Sequence, residues 1–516
     1  MKLLKKTLTV FVGTACVLSM ALTGCGPKET AKTDASAKPE ASAKPEAGKE
    51  DAAKDEKKEL EPVELSWYFI GNQQQEDTEL VEAEVNKYIA ENTDLNCTIK
   101  LQCYDWGTYN DRITKMIAAG DSFDICFTSN WSNNYYTQSS KGAFVPLNEL
   151  MDQYAPKTKE ILGEDFLSGS RINGVNYAIP ANKEKAHSWG LLVRKDIVEK
   201  YDMDLSGVKT LADMEPFFEI VKEKEPTMFA LEGTPSEAAM RILDFDPINN
   251  DTTPGAVLND DASTVFNQLE RPETLEHFKL MYDFMQKGYI REDAASVTDY
   301  NGDQKAGRIF AAVRSLKPTK DIEESNAQGQ QYMQIELTSP VISNRETTGS
   351  MQAISSTSKN PERAMMFLEL FNTDPVVNNL INFGIEEVHY TKISDNQIKG
   401  TENQAKYNPG LGWAFGNQLI NYLTEADPQD KWNQFEEFNK KGKKTQSLGF
   451  VFDPTPVNTQ IAQCTGVWNE YVPGLQVGAS NPDEMLPKAI EALNAAGMQD
   501  ILAEMQKQLD AFNAAK

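Results

Sequence analysis

Short apolar runs alternate with helical stripes from Val63 to about residue 130. VELSWYFIGN is an apolar-rich strand that runs into a glycine–asparagine loop. The following TELVEAEVNKYIAEN sets Val81, Val85, Tyr88 and Ile89 at i, i+4, i+7 and i+8, one face of a helix. LNCTIKLQCYDW predicts a second strand, YNDRITKMIAAG a second helix closed by Gly120, and FDICFTS a third strand. Alternation of this kind implies a parallel sheet with helices on its faces, in which ligands collect at the carboxyl ends of the strands. Those ends are Gly71-Asn72-Gln73, Asp105-Trp106 and Ser129-Asn130-Trp131.

Further along, GLLVRKDIVEKYDMDLS predicts a strand followed by a helix, and TLADMEPFFEIVKEKEP another helix. Residues 272–288 are expected to be helical and GRIFAAVR to be a strand. NPERAMMFLELFNTDP is an amphipathic helix between two prolines, and residues 482–512 are helical almost throughout. A chain of 516 residues is too long for one small core, so two domains or lobes are expected. The fold class is therefore α/β.

The formal charge of −26 argues against a nucleic-acid partner, whose phosphates would be repelled. At the N-terminus, Lys2, Lys5 and Lys6 precede the apolar run LTVFVGTACVLSMAL, which LTGC ends at Cys25. The run is shorter than the roughly 20 residues that span a bilayer. This is the pattern of a secretory signal, residues 1–24, of the lipoprotein type, with lipidation at Cys25. Residues 25–61 carry ASAKPE twice in succession and almost no large apolar side chain, so they read as a disordered tether.

Four cysteines remain: Cys97, Cys103, Cys126 and Cys464. Cys97 and Cys103 lie on one strand face but about 20 Å apart at ~3.3 Å per residue, too far to pair. All four read as packed thiols. DFDPINNDTTPG clusters Asp244, Asp246, Asn249 and Asp251 but fails the calcium-loop template, because Ile248 stands fifth and no glycine stands sixth. No metal and no cofactor is expected. The three histidines are scattered, and neither a nucleophile elbow nor a phosphate loop is present.

FTSNWSNNYY, at the end of the third strand, mixes flat apolar faces with neutral hydrogen-bonding groups, which suits a sugar. It nominates Asn130, Trp131 and Tyr135 as ligand contacts, with Tyr136 beside them. Trp106 and Asn72 share the strand-end position. Arg314 closes GRIFAAVR and either faces the ligand with its planar fork or forms a surface ion pair. Trp413 and Phe415 in NPGLGWAFGNQ supply either a stacking face or core.

KMIAAGDSFDICF, KGAFVPLNEL, INGVNYAIP, LLVRKDIVEKYDMDLSGVKTLADMEPF, KAGRIFAAV and NPERAMMFLELFNTDP occur in the order typical of one family. In this the chain resembles the extracellular solute-binding proteins of carbohydrate-uptake ABC importers. FGIEEVHY, YNPGLGWAFGNQ and LGFVFDPTPV resemble the C-terminal domain of a lipoprotein subfamily that takes up oligosaccharides, aldouronates among them. The likeness implies a two-lobed periplasmic-binding-protein-like fold, each lobe a mainly parallel sheet flanked by helices, with a helical C-terminal region. It implies more than one crossing between lobes. Lobe one would take 62–182 and about 335–390; lobe two would take 183–334 and about 391–516. Trp189 follows the expected first crossing and lines either the cleft or the core. An oligosaccharide would be trapped by hinge closure and passed to the transmembrane permease. The binder would be a monomer, held by its lipid on the outer face of the cytoplasmic membrane of a Gram-positive cell. A surface glycoside hydrolase and a peptide-binding lipoprotein are the competing readings.

Overall fold

The computed structural model describes residues 60–233, 240–249, 252–297 and 300–516. Cys25 and the tether up to residue 59 lie outside the described residues, as does Asp251.

The first sheet starts from the elements that the apolar pattern marks out. These are β1 (Val63–Gly71), α1 (Thr78–Asn92), β2 (Cys97–Asp105), α2 (Tyr109–Ala119) and β3 (Ile125–Thr128). Both β2 and β3 run parallel to β1. α1 buries Val81, Val85 and Ile89, the expected face. Gly120 ends α2 at φ 71°, a conformation that glycine adopts at little cost. After β4 (Ala178–Pro180) the chain leaves this sheet.

A second sheet is built from β5 (Ser188–Arg194) and β6 (Phe229–Leu231) together with later strands. The short β7 (Phe245–Pro247) and β8 (Ala256–Leu258) pair only with each other among the named strands. β9 (Ile309–Leu316) and β10 (Tyr332–Glu336) complete the order β10-β5-β9-β6. Here β10–β5 and β5–β9 are antiparallel and only β6–β9 is parallel, which corrects the mainly parallel sheet expected of lobe two. The chain then passes through β11 (Val341–Ile342) and returns to the first sheet as β12 (Met351–Ile354). β12 lies antiparallel between β3 and β4, giving the order β2-β1-β3-β12-β4.

Separate cores define the two lobes. The first packs Leu65, Trp67 and Ile125 against Phe367, Leu368 and Phe371 from the predicted amphipathic helix, Pro361–Thr373. The second gathers Leu191, Phe218, Phe284 and Phe310. A third core, helical, joins the helices Asn458–Gln476, Pro482–Ala495 and Met498–Ala515 to Phe278 of the helix Pro272–Gln286. Tyr407, Leu411, Ala414 and Phe415 are buried in the first core. The chain between about 391 and 424 therefore belongs with lobe one, not with lobe two as expected.

Three segments pass between the lobes, and they are zipped to one another. His187 and Val341 exchange backbone hydrogen bonds of 3.0 and 3.1 Å, and β11 pairs in parallel with Lys443–Lys444. Charged side chains brace the same region. Glu184 of the first crossing sits 2.8 Å from Lys183 and 3.4 Å from Lys317, while Lys317 lies 3.3 Å from Glu323. Burial opposes the ionisation of Glu184, but Lys183 and Lys317 outweigh it and hold the carboxyl down at about 2. Asn439, on the helix Lys431–Lys441, accepts from the Lys185 backbone and donates to the Lys183 carbonyl. The hinge is thus a braced ribbon.

Candidate functional site

The ends of β1, β2 and β3 lie side by side, because the three strands pair in register. Each end is fixed by local polar bonds that leave its aromatic ring outside. After β2, Asp105 accepts from the backbone of Gly107 and Thr108 and from the Thr108 hydroxyl at 2.6–3.1 Å. That turn holds Trp106 outward, 48% exposed. The Thr108 hydroxyl and the turn amides keep the Asp105 carboxyl below the usual range.

The loop after β3 explains its own asparagines. Asn133 takes φ 45° and donates to the Phe127 carbonyl, and Asn134 caps α3 (Tyr135–Ser140) by accepting from Thr137. Asn130 donates to the Arg345 carbonyl at 3.0 Å and to the Thr348 hydroxyl at 3.1 Å, tying the loop to the second crossing. Its amide nitrogen is spent on the protein and not kept for a ligand. Trp131 is 49% exposed, with its indole N–H donated to Gly349 at 2.8 Å.

A third tryptophan arrives from far along the sequence. Asn72 donates to the Asn408 carbonyl, and Gln75 both donates to and accepts from the Asn408 backbone. These bonds hold the loop that carries Trp413 against the strand ends. The centroids of Trp106, Trp131 and Trp413 form a near-equilateral triangle of 6.1–6.3 Å, with interplanar angles of 12–33°. Near-parallel rings in a triangle cannot be a column, whose outer pair would stand twice as far apart. They form a compact, offset-stacked aromatic platform with two of its rings half exposed. Five large apolar side chains among the described residues are exposed, and two of them are here.

Beside the platform, against the hinge, lies a cavity of about 480 Å³. Trp189, His187, Arg241, Asp244, Asp246 and Glu346 are among its walls. His187 Nδ1 is 2.7 Å from Glu346 Oε1. Burial opposes the charge on Glu346, yet His187 and the Ser343 hydrogen bonds lower its carboxyl to about 2. Burial raises the Asp246 carboxyl, Glu346 adds to the rise, and Ser447 and Arg241 act against it.

Of the expected contacts, the structure brings Trp106, Trp131 and Trp413 together, with Asn72 and Asn130 as their supports, and sets Trp189 in the neighbouring cavity. Three assignments, Asn130, Tyr135 and Arg314, are corrected, the first by the bonds given above. Tyr135 is fully buried; its hydroxyl donates to Ser170 at 2.7 Å, and Tyr136 is the partly exposed member of the pair. Arg314 points away from that cavity and pairs with Glu232, both contacts 2.9 Å, on the far face of the second sheet. Phe415 is core. Sequence reasoning missed Arg241, Arg345 and Glu346, because nothing local shows that they meet. In the acidic loop, Asp244 accepts from Asn259 and Asp246 from Ser447. The described residues hold no cluster of three or more metal-ligating side chains. Cys97, Cys103, Cys126 and Cys464 are buried and unbridged.

Residues 84–385, more than half of the chain, match the family described as bacterial extracellular solute-binding protein. Residues 446–514 match a domain of unknown function. A carbohydrate ABC transporter substrate-binding protein of Streptococcus pneumoniae serotype 4 is 28% identical over 462 residues, 87% of this chain and 90% of that protein. The crystal structure of an N-glycan transport solute binding protein, NgtS, from Streptococcus pneumoniae aligns with a TM-score of 0.79 at 27% identity, covering 87% of this chain and 99% of that one. Its complexes with Man1GlcNAc and Man5GlcNAc align at 0.72 and 0.70, both at 26% identity, with 87% and 88% of this chain and 99% of each complex chain covered. With two α/β lobes, a braced hinge and this match, the chain belongs to the bacterial extracellular solute-binding proteins.

Proposed function

We propose that this protein captures an oligosaccharide between its lobes and delivers it to the membrane permease of an ABC importer. One observation carries the reading: three near-parallel tryptophans stand at the strand ends of lobe one with two rings half exposed. Sugar rings have apolar faces that stack on such a platform, and their hydroxyls need polar partners at its rim. Relatives that carry sugars or N-glycans by name support the substrate class. Ligand that contacts both lobes would draw them together. The chain acts as a binder and not as a hydrolase. Cys25, by its lipobox, would anchor the protein on the outer face of the membrane.

Calorimetric titration against saccharides that include Man5GlcNAc tests the reading, with small-angle scattering in parallel. Binding without cleavage products and a smaller radius with ligand are expected. Released shorter sugars would favour the hydrolase, and binding of peptides alone would favour the peptide carrier.

A further inference from the structure

Two of the three platform tryptophans are fastened to the hinge, each at a different crossing. Trp131 donates its indole N–H to the Gly349 carbonyl, and Asn130 beside it donates to the Arg345 carbonyl and the Thr348 hydroxyl. Those acceptors belong to the second crossing. The residue after Arg345, Glu346, meets His187 of the first crossing at 2.7 Å.

The Trp413 loop is fastened at the first crossing. Asn182 stands where the chain leaves β4; its backbone N–H donates to Gly416 at 2.9 Å and its carbonyl accepts from Gln418 at 2.8 Å. Its side-chain amide donates to Asn417 Oδ1 at 2.7 Å. Asn417 in turn donates to the Asn372 carbonyl at 3.2 Å, and its own carbonyl accepts from Asn378 at 3.3 Å. Asn182, Asn372, Asn378 and Asn417 are all buried, so these bonds are shielded from competing water. The loop between Trp413 and Asn417 has no slack. The Ala414 carbonyl accepts from Gln352, and Gly416 lies at φ 74° where a Cβ would clash with the Phe371 ring. One residue beyond Asn182, the Lys183 carbonyl accepts from Asn439 of the braced ribbon.

Trp106 differs, because the Asp105 turn that carries it closes on its own backbone and on Thr108. A movement of the crossings is therefore passed to two rings and not to the third. It changes the triangle on which a ligand would stack. By linkage, a ligand that stacks on all three rings favours one arrangement of the crossings over another.

We propose that Asn130 and Asn182 are positioning residues that couple the platform to the hinge, so that a sugar stacked across the three rings drives closure through these two ties. The inference rests on the proposed function. Both asparagines act through the rings, without touching the ligand.

The test is calorimetry and small-angle scattering on the mature chain with a panel of oligosaccharides that includes Man5GlcNAc. Asn182→Ala removes one side-chain bond and keeps the backbone bonds, and Leu419 still donates to Asn417, so no buried acceptor is stranded. The Asn130→Ala/Asn182→Ala chain should bind the tightest saccharide at least about tenfold more weakly. At saturation it should contract less than half as far as the wild type. Thr108→Val, which loosens only the Trp106 turn, should lose affinity and keep the full contraction. Unfolding curves of the unliganded variants separate these effects from loss of fold, and Asn182→Ala alone carries the test, with partial contraction, if the double variant does not fold. Full contraction of the uncoupled chain at saturation would overturn the proposal. So would lost contraction in Thr108→Val, or a wild type that binds without contracting. Binding of no saccharide by the wild type would instead overturn the proposed function.

Discussion

Lobe one holds two clusters of aromatic rings, built from the same sheet and put to opposite uses. Trp67 on β1 meets Phe69, Phe367, Phe371 and Phe415 at 5.0–5.9 Å with planes 61–75° apart. Edge-to-face packing presents ring edges to ring faces and fills space. The indole N–H of Trp67 is closed off as well, donated to Gln352 at 2.8 Å in the interior. At the strand ends the rings are near-parallel and about 6 Å apart, and two of the three are half exposed. Residue type is shared. Exposure separates the two clusters: Trp67 is fully buried, whereas Trp106 and Trp131 are half exposed.

The sharpest way to break this comparison is to delete one ring from each cluster. Trp67→Ala should cost about 3–5 kcal/mol of unfolding free energy, since it opens a cavity and strands the Gln352 acceptor. Denaturant unfolding measures this, and a loss below about 1 kcal/mol would mean that the core closes without its central ring.

Next in size is a polar group inside the helical core, which contrasts with the apolar ring clusters through its response to pH. His277 is buried, and burial pushes its imidazole down to about 4 from an ordinary 6.5. A depressed histidine means that the unfolded chain binds the proton first. His277 therefore costs nothing above pH 6.5, and it removes stability progressively as the pH falls to about 4. The loss should approach about 3 kcal/mol. Unfolding curves at pH 7 and pH 5 should differ in the wild type, and His277→Phe should flatten that difference.

Smaller again is the platform effect. Trp131→Ala should weaken oligosaccharide binding by about 2 kcal/mol, roughly thirtyfold, because an exposed aromatic anchor acts on binding energy. Its unfolding free energy should fall by only about 1 kcal/mol, for the lost bond to Gly349. The smallest effect belongs to Asn72→Ala. It releases one of the bonds to Asn408, while Gln75 keeps the Trp413 loop in place, so affinity should drop about threefold. A larger drop would mean that Asn72 touches the sugar directly.

The strand ends were legible because the pattern of periods two and 3.6 marks β1, α1, β2, α2 and β3 without any long-range knowledge. Trp106 and Trp131 follow directly from that. The even spacing of Cys97 and Cys103 likewise places both thiols on the buried face of β2. Two of the errors involve partners distant in sequence, and the others are local. Arg314 ends its strand as expected, but Glu232, 82 residues away, claims its guanidinium. Tyr135 and Tyr136 are neighbours of one type, and only the direction of α3 decides which is buried. Asn130 looks like a ligand group until the second crossing comes back to meet it. The helix Asn458–Gln476 was hidden by Gly466, Pro473 and Gly474, although Cys464, Trp468, Val472 and Leu475 form a clean buried stripe.

The central claim is that the three-tryptophan platform binds the ligand without holding the fold together. Titrating Man5GlcNAc, or the tightest saccharide found, into the wild type and the Trp106→Ala/Trp131→Ala/Trp413→Ala chain tests it most directly, with denaturant unfolding of both. The account predicts at least about a thousandfold loss of affinity with the cooperative unfolding of lobe one preserved. Retained affinity, or collapse of the fold in the unliganded triple variant, would contradict it.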